Sequence, residues 1–378
     1  MSGDAAESER PQTPGDRDRV TTGFCTTERY SAVISTSRLG HRPALDGIRA
    51  LAVLTVVTGH SWHILPSAWV GVEAFFVLSG FLITTLLVDE HRAIGTVRLF
   101  VFYGRRARRL LPPLAVAIPL ALGIAALFDR SALALTTGEA VSSAVYATNL
   151  VEGFRADHGL VNGLLAHTWS LSVEEQFYLC WPVVLCVLLR FGRRLAMYVA
   201  LLGAIAITLH RVTDVPVYEH AYFWPQYNAD ALLLGCAVAL AVSLGVLRPS
   251  RRWVPLALPA LAMLGAIAFG YTGAAYAGGW EALAAVAAAL LILATLNGCP
   301  VLTWRPLVAV GRISYGIYLF HYPIVVAVGD RMGTSGPLTL ALGLPLTLGV
   351  AALSYRLVEQ PLLRRRAASV GTRLAVAA

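Results

Sequence analysis

Ten predominantly apolar stretches dictate what this chain can become. They lie near residues 44 to 64, 70 to 88, 111 to 128, 173 to 190, 195 to 212, 228 to 247, 253 to 271, 281 to 298, 310 to 329 and 337 to 358. Each is long enough to cross a hydrocarbon core of about 30 Å at 1.5 Å per residue. In lipid, a stretch of that kind satisfies its own backbone only as a helix. The expected fold is all-α: a polytopic protein of about ten transmembrane helices in the plasma (inner) membrane. A shorter apolar piece, 139 to 151, falls inside the connection after the third stretch and reads as re-entrant or interfacial. At 57% hydrophobic and 14% charged, the composition excludes an ordinary cytosolic enzyme, a disulfide scaffold and a disordered acidic chain.

Charge placement orients the helices. All 30 basic residues are arginine. Short cytoplasmic connections concentrate such residues, and 25 of them fall on one side of a ten-helix alternation, with only Arg130, Arg155, Arg211 and Arg331 opposite and Arg49 inside the first helix. Both termini are therefore expected in the cytoplasm. Residues 1–43 read as a disordered cytoplasmic tail without a signal peptide, and 362–378 as a basic cytoplasmic tail. The arginines sit in short loops rather than on a folded basic face, so no nucleic acid is expected as partner. The five cysteines show no metal-type spacing and read as reduced, small apolar residues; no metal is expected. No internal repeat marks a duplicated transporter.

Ionisable side chains inside spanning helices are costly, and each is a site candidate. In the first stretch Asp46, Arg49 and His60 share one helical face. Asp46 and Arg49 could pair at i, i+3 and anchor the helix end. His60 lies about 16 Å further out at 1.5 Å per residue. The connection that follows is short, so Glu73, in Gly71-Val72-Glu73, is expected to return to the depth of His60. There it could hold the imidazole's tautomer while the other ring nitrogen takes a proton from a hydroxyl. Alternatively, Glu73 is a first-turn acid favoured by the helix dipole.

The run Arg105-Arg106-Ala107-Arg108-Arg109-Leu110-Leu111-Pro112-Pro113 is expected to open the third helix, with proline in its first turn. Arg105, Arg106 and Arg109 could clamp the phosphates of a cytosolic ligand, or simply mark positive-inside topology. In His167-Thr168-Trp169-Ser170-Leu171-Ser172-Val173-Glu174-Glu175, Ser172 and Glu175 have capping-box spacing. Glu174 is the freer acid; it shares a face with Tyr178 and is a candidate for an acceptor site. Asp230, buried early in the sixth stretch, demands a polar partner. His321 could be a structural histidine bonded to a carbonyl, and Arg356 with Glu359 a terminal pair. His210-Arg211-Val212-Thr213-Asp214 is a short pattern that arises easily by chance.

Taken in order, LDGIRALAVLTVVTGH, GVEAFFVLSGFLIT, RRARRLLP, HTWSLSVEEQFYLCWP, DALLLG, GRISYGIYLFHYPIV and SYRLVEQP resemble the acyltransferase 3 family of bacterial membrane O-acyltransferases, from about residue 44 to 361. The resemblance implies a transmembrane acyltransferase domain over 44–361. It implies transfer of an acyl group, often acetyl, from acyl-CoA to a hydroxyl of a carbohydrate, a cell-envelope glycan or a glycosylated natural product such as a macrolide. It makes His60 the family's essential histidine, Arg49 the arginine before it, and Arg105, Arg106 and Arg109 its CoA-facing block. Glu73 stands where many members have Asp, and Asn228 where many have Arg. Some members append a hydrolase-like domain; a chain ending at Ala378 is expected to lack one.

The expected site thus has His60 and Glu73 as catalytic residues, Arg105, Arg106 and Arg109 holding acyl-CoA, and Asp46, Arg49, Glu174, Asp230 and His321 in acceptor or supporting roles. The co-substrate is acyl-CoA, in particular acetyl-CoA, with no bound cofactor; the partners are a hydroxyl-bearing acceptor and the bilayer, with no obligate protein partner. The rival reading is a secondary transporter or flippase for a lipid-linked or sugar substrate, whose intramembrane acids and histidines would be proton or substrate sites.

Overall fold

A computed structural model describes residues 40–362 apart from 41, 63, 67, 129, 159–161, 215–221, 271–278, 298 and 334–335. The two expected tails fall almost entirely outside the described residues. The helices are α1 (Pro43–Ser61), α2 (Trp69–Ile94), α3 (Leu99–Phe128), α4 (Arg130–Ala144), α5 (Thr148–Asp157), α6 (Trp169–Phe191), α7 (Arg193–Asp214), α8 (Pro225–Leu244), α9 (Ala257–Gly270), α10 (Trp280–Thr295), α11 (Arg305–Arg312), α12 (Ser314–Met332) and α13 (Pro337–Ser354). A π turn, Tyr355–Glu359, prolongs α13. No strand occurs among the described residues.

Each of the ten expected spans falls on a helix, with ends displaced by a few residues in most cases. Seven helical segments among the described residues are both long and apolar enough to cross a membrane: Trp69–Ile94, Leu99–Phe128, Ala166–Phe191, Arg193–Thr213, Pro225–Leu244, Arg251–Gly270 and Pro337–Leu362. α10, at 16 residues, is a shorter apolar helix. α1 and α12 are 19 residues each, but Asp46, Arg49 and His60 in one and His321 and Asp330 in the other dilute their hydropathy. These two polar helices carry the site described below. The chain is a helical, multi-pass membrane protein.

α2 and α8 form the centre, mostly buried, whereas the other spanning helices turn residues such as Leu179, Val187, Leu202, Leu258 and Leu353 outward. The α2–α8 contact is close because both helices place glycine there. A Cβ on Gly80 would strike the Leu232 carbonyl, and one on Gly235 the Val77 carbonyl, so only glycine admits this backbone approach. The main apolar core joins α1, α2, α8, α10 and α12.

Two local expectations need correction. α3 begins at Leu99, so Pro112 and Pro113 lie inside it rather than in its first turn, and the arginine run is helical. Proline supplies no N–H there, and the carbonyl of Leu110, beside the proline pair, accepts from the Tyr315 hydroxyl at 3.1 Å. The capping box does not form. α6 starts at Trp169, and the Ser172 hydroxyl accepts from the Thr148 amide at 3.1 Å while donating to Thr168 O at 3.2 Å. The 139 to 151 piece, read as something other than a crossing, is divided between α4 and α5 by a turn, and neither helix is among the candidate spans.

Candidate active site

His60 ends α1 and is exposed, and its Nδ1 lies 3.0 Å from Nε2 of His321 on α12. His321 is fully buried, and its Nδ1 lies 2.6 Å from the carbonyl oxygen of Tyr318, one turn back. A carbonyl only accepts, which assigns the tautomers in sequence. His321 carries its proton on Nδ1 and offers the Nε2 lone pair; His60 therefore donates from Nδ1, and its own Nε2 carries the ring's lone pair. A backbone carbonyl and a second imidazole thus fix the orientation and tautomer of the His60 ring. His167 joins them from the 3-10 turn before α6. Its ring stacks on Tyr322 with centroids 5.2 Å apart and stands edge-on to His321 at 5.1 Å. Its Nε2 donates to Leu319 O at 3.3 Å. Among the described residues, no three histidine, cysteine or acidic side chains are grouped to hold a metal ion.

Glu73 does not join this arrangement. Gly71 faces α1, where a Cβ would strike Ala52 O and Val56. Glu73 is two residues on, turned by about 200° on a helix. It is seven residues from Gly80, within about 20° of the same face, and Gly80 faces α8. Glu73 is buried there, in the electrostatic neighbourhood of Asp230, Arg211 and Glu281. Depth alone does not bring Glu73 to His60, because its azimuth turns it to α8; the side chain within hydrogen-bond distance of His60 Nδ1 is His321. Asp230 has the partner it requires: Arg211 Nη2 at 2.7 Å, with the Thr208 hydroxyl at 2.8 Å. Arg211 also reaches Glu281, at 3.8 Å. Asn228 donates to the carbonyls of Tyr222 and Trp224, so the guanidinium beside Asp230 comes from α7 instead.

A cavity of 460 Å³ lies among α1, α2, α3, α6 and α12. Arg105, Arg106 and Arg109 line one end, and Ser170 and Tyr318 the other; Arg49, Ser79, Glu174 and Ser314 line it between. Arg49 Nε donates to the Ser314 hydroxyl at 3.1 Å. The expected Arg49–Asp46 anchor is replaced, since Asp46 lies 3.9 Å from Arg312. Arg106 is engaged within the protein, ion-paired to Glu175 and lying over the Tyr178 ring at 3.5 Å. Glu174 accepts from the hydroxyls of Ser79 (2.5 Å) and Tyr178 (2.6 Å), on the wall of the arginine-lined cavity. Glu175, read as a cap, is thus an arginine partner.

Outside the spans, α4 and α5 hold the segment that carries His167. The Glu139 carboxylate accepts from the Leu165 amide (2.7 Å), the Gly163 amide and Arg155 (2.6 Å). Thr168 is bonded to Ser143 at 2.8 Å and to Thr148 at 3.0 Å. Arg155 also reaches Glu152 at 2.9 Å. Burial, and next the charge of Glu139, push the Glu152 carboxyl up to about 7, against the pull of Arg155. Sequence reasoning assigned no role to His167, Arg211, Tyr318 or Glu281. His167 was visible as the first residue of the HTWSL block, and Arg211 lay inside a pattern set aside as chance.

Comparison with known proteins places the chain in a family. The acyltransferase domain of the acyltransferase 3 type matches residues 42–356. YrhL of Bacillus subtilis is 32% identical over 353 residues, which is 85% of this chain and 54% of that protein. The peptidoglycan O-acetyltransferase OatA of Listeria monocytogenes is 30% identical over 85% of this chain and 55% of its own. The O-acetyltransferase OatA of Staphylococcus aureus is 29% identical over 85% and 57%. The chain therefore spans about half the length of these relatives. No solved structure matches it. With a domain match over most of its length, the chain belongs to the acyltransferase 3 family of membrane acyltransferases.

Proposed function

We propose that this protein transfers an acetyl group from cytosolic acetyl-CoA to a hydroxyl of a cell-envelope carbohydrate, with peptidoglycan, the acceptor named for the Listeria relative, as the first substrate to test. The arginine-rich end faces the cytosol, and both termini lie there. Arg105 and Arg109 receive the CoA phosphates, while Arg106, held by Glu175, shapes the entrance. The pantetheine arm extends along the cavity past Arg49 and Glu174. His60 does not line the cavity; from beyond the cavity's far end, past His321, its Nε2 removes the proton of the acceptor hydroxyl, whose oxygen attacks the thioester carbonyl. The C–S bond breaks, and the imidazolium returns its proton to the thiolate, giving the ester and CoA thiol. General-base catalysis of this kind contributes about 10²- to 10⁴-fold.

The observation that carries this reading is the Tyr318–His321–His60 hydrogen-bond series, which supports a base at Nε2. Purified protein in detergent, given radiolabelled acetyl-CoA and glycan acceptors, should transfer label. His60→Ala should lose about 10²-fold or more, while Glu73→Gln should keep turnover within about threefold, since its hydroxyl-to-base chemistry is untouched. Equal turnover in His60→Ala and wild type would refute the base.

A further inference from the structure

Given an acyl-CoA in the cavity, as proposed for the function, we infer that the Tyr318 side chain, latched by Ser170 and the His167 carbonyl, is the wall that limits the transferred group to acetyl size. Phosphates at the arginine end make the acyl group the leading end of the donor. What it meets is set by the opposite lining: Val72, Phe75 and Phe76 of α2, Ser170 of α6 and Tyr318 of α12. Tyr318 stands edge-on to Phe75, with centroids 6.4 Å apart. Its hydroxyl donates to His167 O at 2.8 Å, which uses its one proton, so the Ser170 hydroxyl donates to Tyr318 at 2.6 Å. All three partners are buried. Moving the ring aside breaks two buried hydrogen bonds, which makes this wall stiffer than an apolar side chain alone.

Behind the wall lie the imidazoles, with His167 at 5.6 Å and His321 at 5.4 Å from the phenol ring. An acyl group that reaches the wall therefore has the phenol ring between it and the imidazoles of His167 and His321, and each added methylene must either displace Tyr318 or draw the carbonyl back toward the arginines. A pocket that refuses one methylene discriminates by roughly 10- to 200-fold. The same residue serves both sides: its side chain bounds the donor and its carbonyl fixes the tautomer of His321.

The test is competition of acetyl-, propionyl-, butyryl- and hexanoyl-CoA against radiolabelled acetyl-CoA binding to the full chain, with transfer kcat/KM measured beside it. Wild type should prefer acetyl- over butyryl-CoA at least tenfold. Tyr318→Leu should raise the butyryl-to-acetyl ratio tenfold or more, and Tyr318→Phe, which keeps the ring but loses both latching hydrogen bonds, should raise it by a smaller factor, roughly two- to fivefold. Should Tyr318→Leu not hold its fold, Phe75→Ala opens the same end from α2 and must raise the ratio likewise. A wild type that binds both donors equally, or a ratio unmoved in the opened variants, overturns the wall while leaving the donor reading intact. A wild type that binds no acyl-CoA sinks the donor reading and the wall with it.

Discussion

Replacing His321 separates an oriented base from a histidine that merely happens to be near the membrane surface. In wild type, His60 donates from Nδ1 to His321 Nε2 across 3.0 Å, and His321 is anchored to the Tyr318 carbonyl at 2.6 Å. In His321→Leu the Nδ1 proton of His60 loses that acceptor, and the ring is free to hold its proton on Nε2, where it cannot act as a base. The bond also gains strength during reaction, because His60 becomes an imidazolium. Bonds to charged groups contribute about 1.5–3 kcal/mol, and at about 1.4 kcal/mol per factor of ten the variant should lose roughly 10- to 150-fold in kcat. The donor KM should barely move, since His321 does not line the cavity. His321→Gln can place an amide oxygen near the former Nε2 and should recover most of the loss. The assay is initial-rate acetyl transfer in detergent for wild type, both His321 variants, His60→Ala and the double variant. Because His321 acts through His60, adding His321→Leu to His60→Ala should cost nothing further. Multiplicative losses in the double variant, or wild-type kcat in His321→Leu, would refute the orienting role.

Two further outcomes follow from the buried charges. Arg211→Leu leaves Asp230 in the core without its guanidinium, a loss of about 3–5 kcal/mol; thermal unfolding in detergent should shift down by several degrees and recover in part in Arg211→Leu with Asp230→Leu, where Glu281 still lacks the guanidinium, and an unshifted single variant would contradict the pairing. Glu152, raised from 4.5 to about 7, retains its proton in the folded chain at pH values where the unfolded chain has lost it. Folded stability should therefore fall as pH rises from about 4.5 to 7 and level off above that, and Glu152→Gln should flatten this slope; an unchanged slope would show that other groups set it.

What the sequence makes legible is what one dimension encodes. Apolar runs set the helices because lipid leaves no other way to satisfy the backbone. Asp230 announced the need for a partner because an unpaired buried carboxylate is costly, although nothing local said that Arg211, 19 residues earlier, would supply it. Local spacing misled where tertiary partners outbid it. Ser172 and Glu175 have the separation of a capping box, yet the first serves the Thr148 amide and the second Arg106. The proline pair suggested a helix start, but the arginines before it continue the helix back to Leu99.

The centre of the site shows the same limit more sharply. His60 was identifiable alone, since an imidazole in an apolar segment has few bland explanations, but its partner lies 261 positions away and no single-sequence periodicity links them. The acid chosen instead, Glu73, satisfied the depth requirement and failed the rotational one. That failure was itself written in the chain. Gly71 and Gly80 mark opposite faces of α2, and a carboxylate seven residues from Gly80 belongs, by helical phase, to the face that meets α8. With Glu73 assigned there, α12 supplies an acceptor for His60 through His321, and the orienting group becomes a neutral imidazole anchored to a carbonyl. An imidazole relay of this kind adds no net charge to the bilayer interior, where a second carboxylate beside His60 would have required its own compensation.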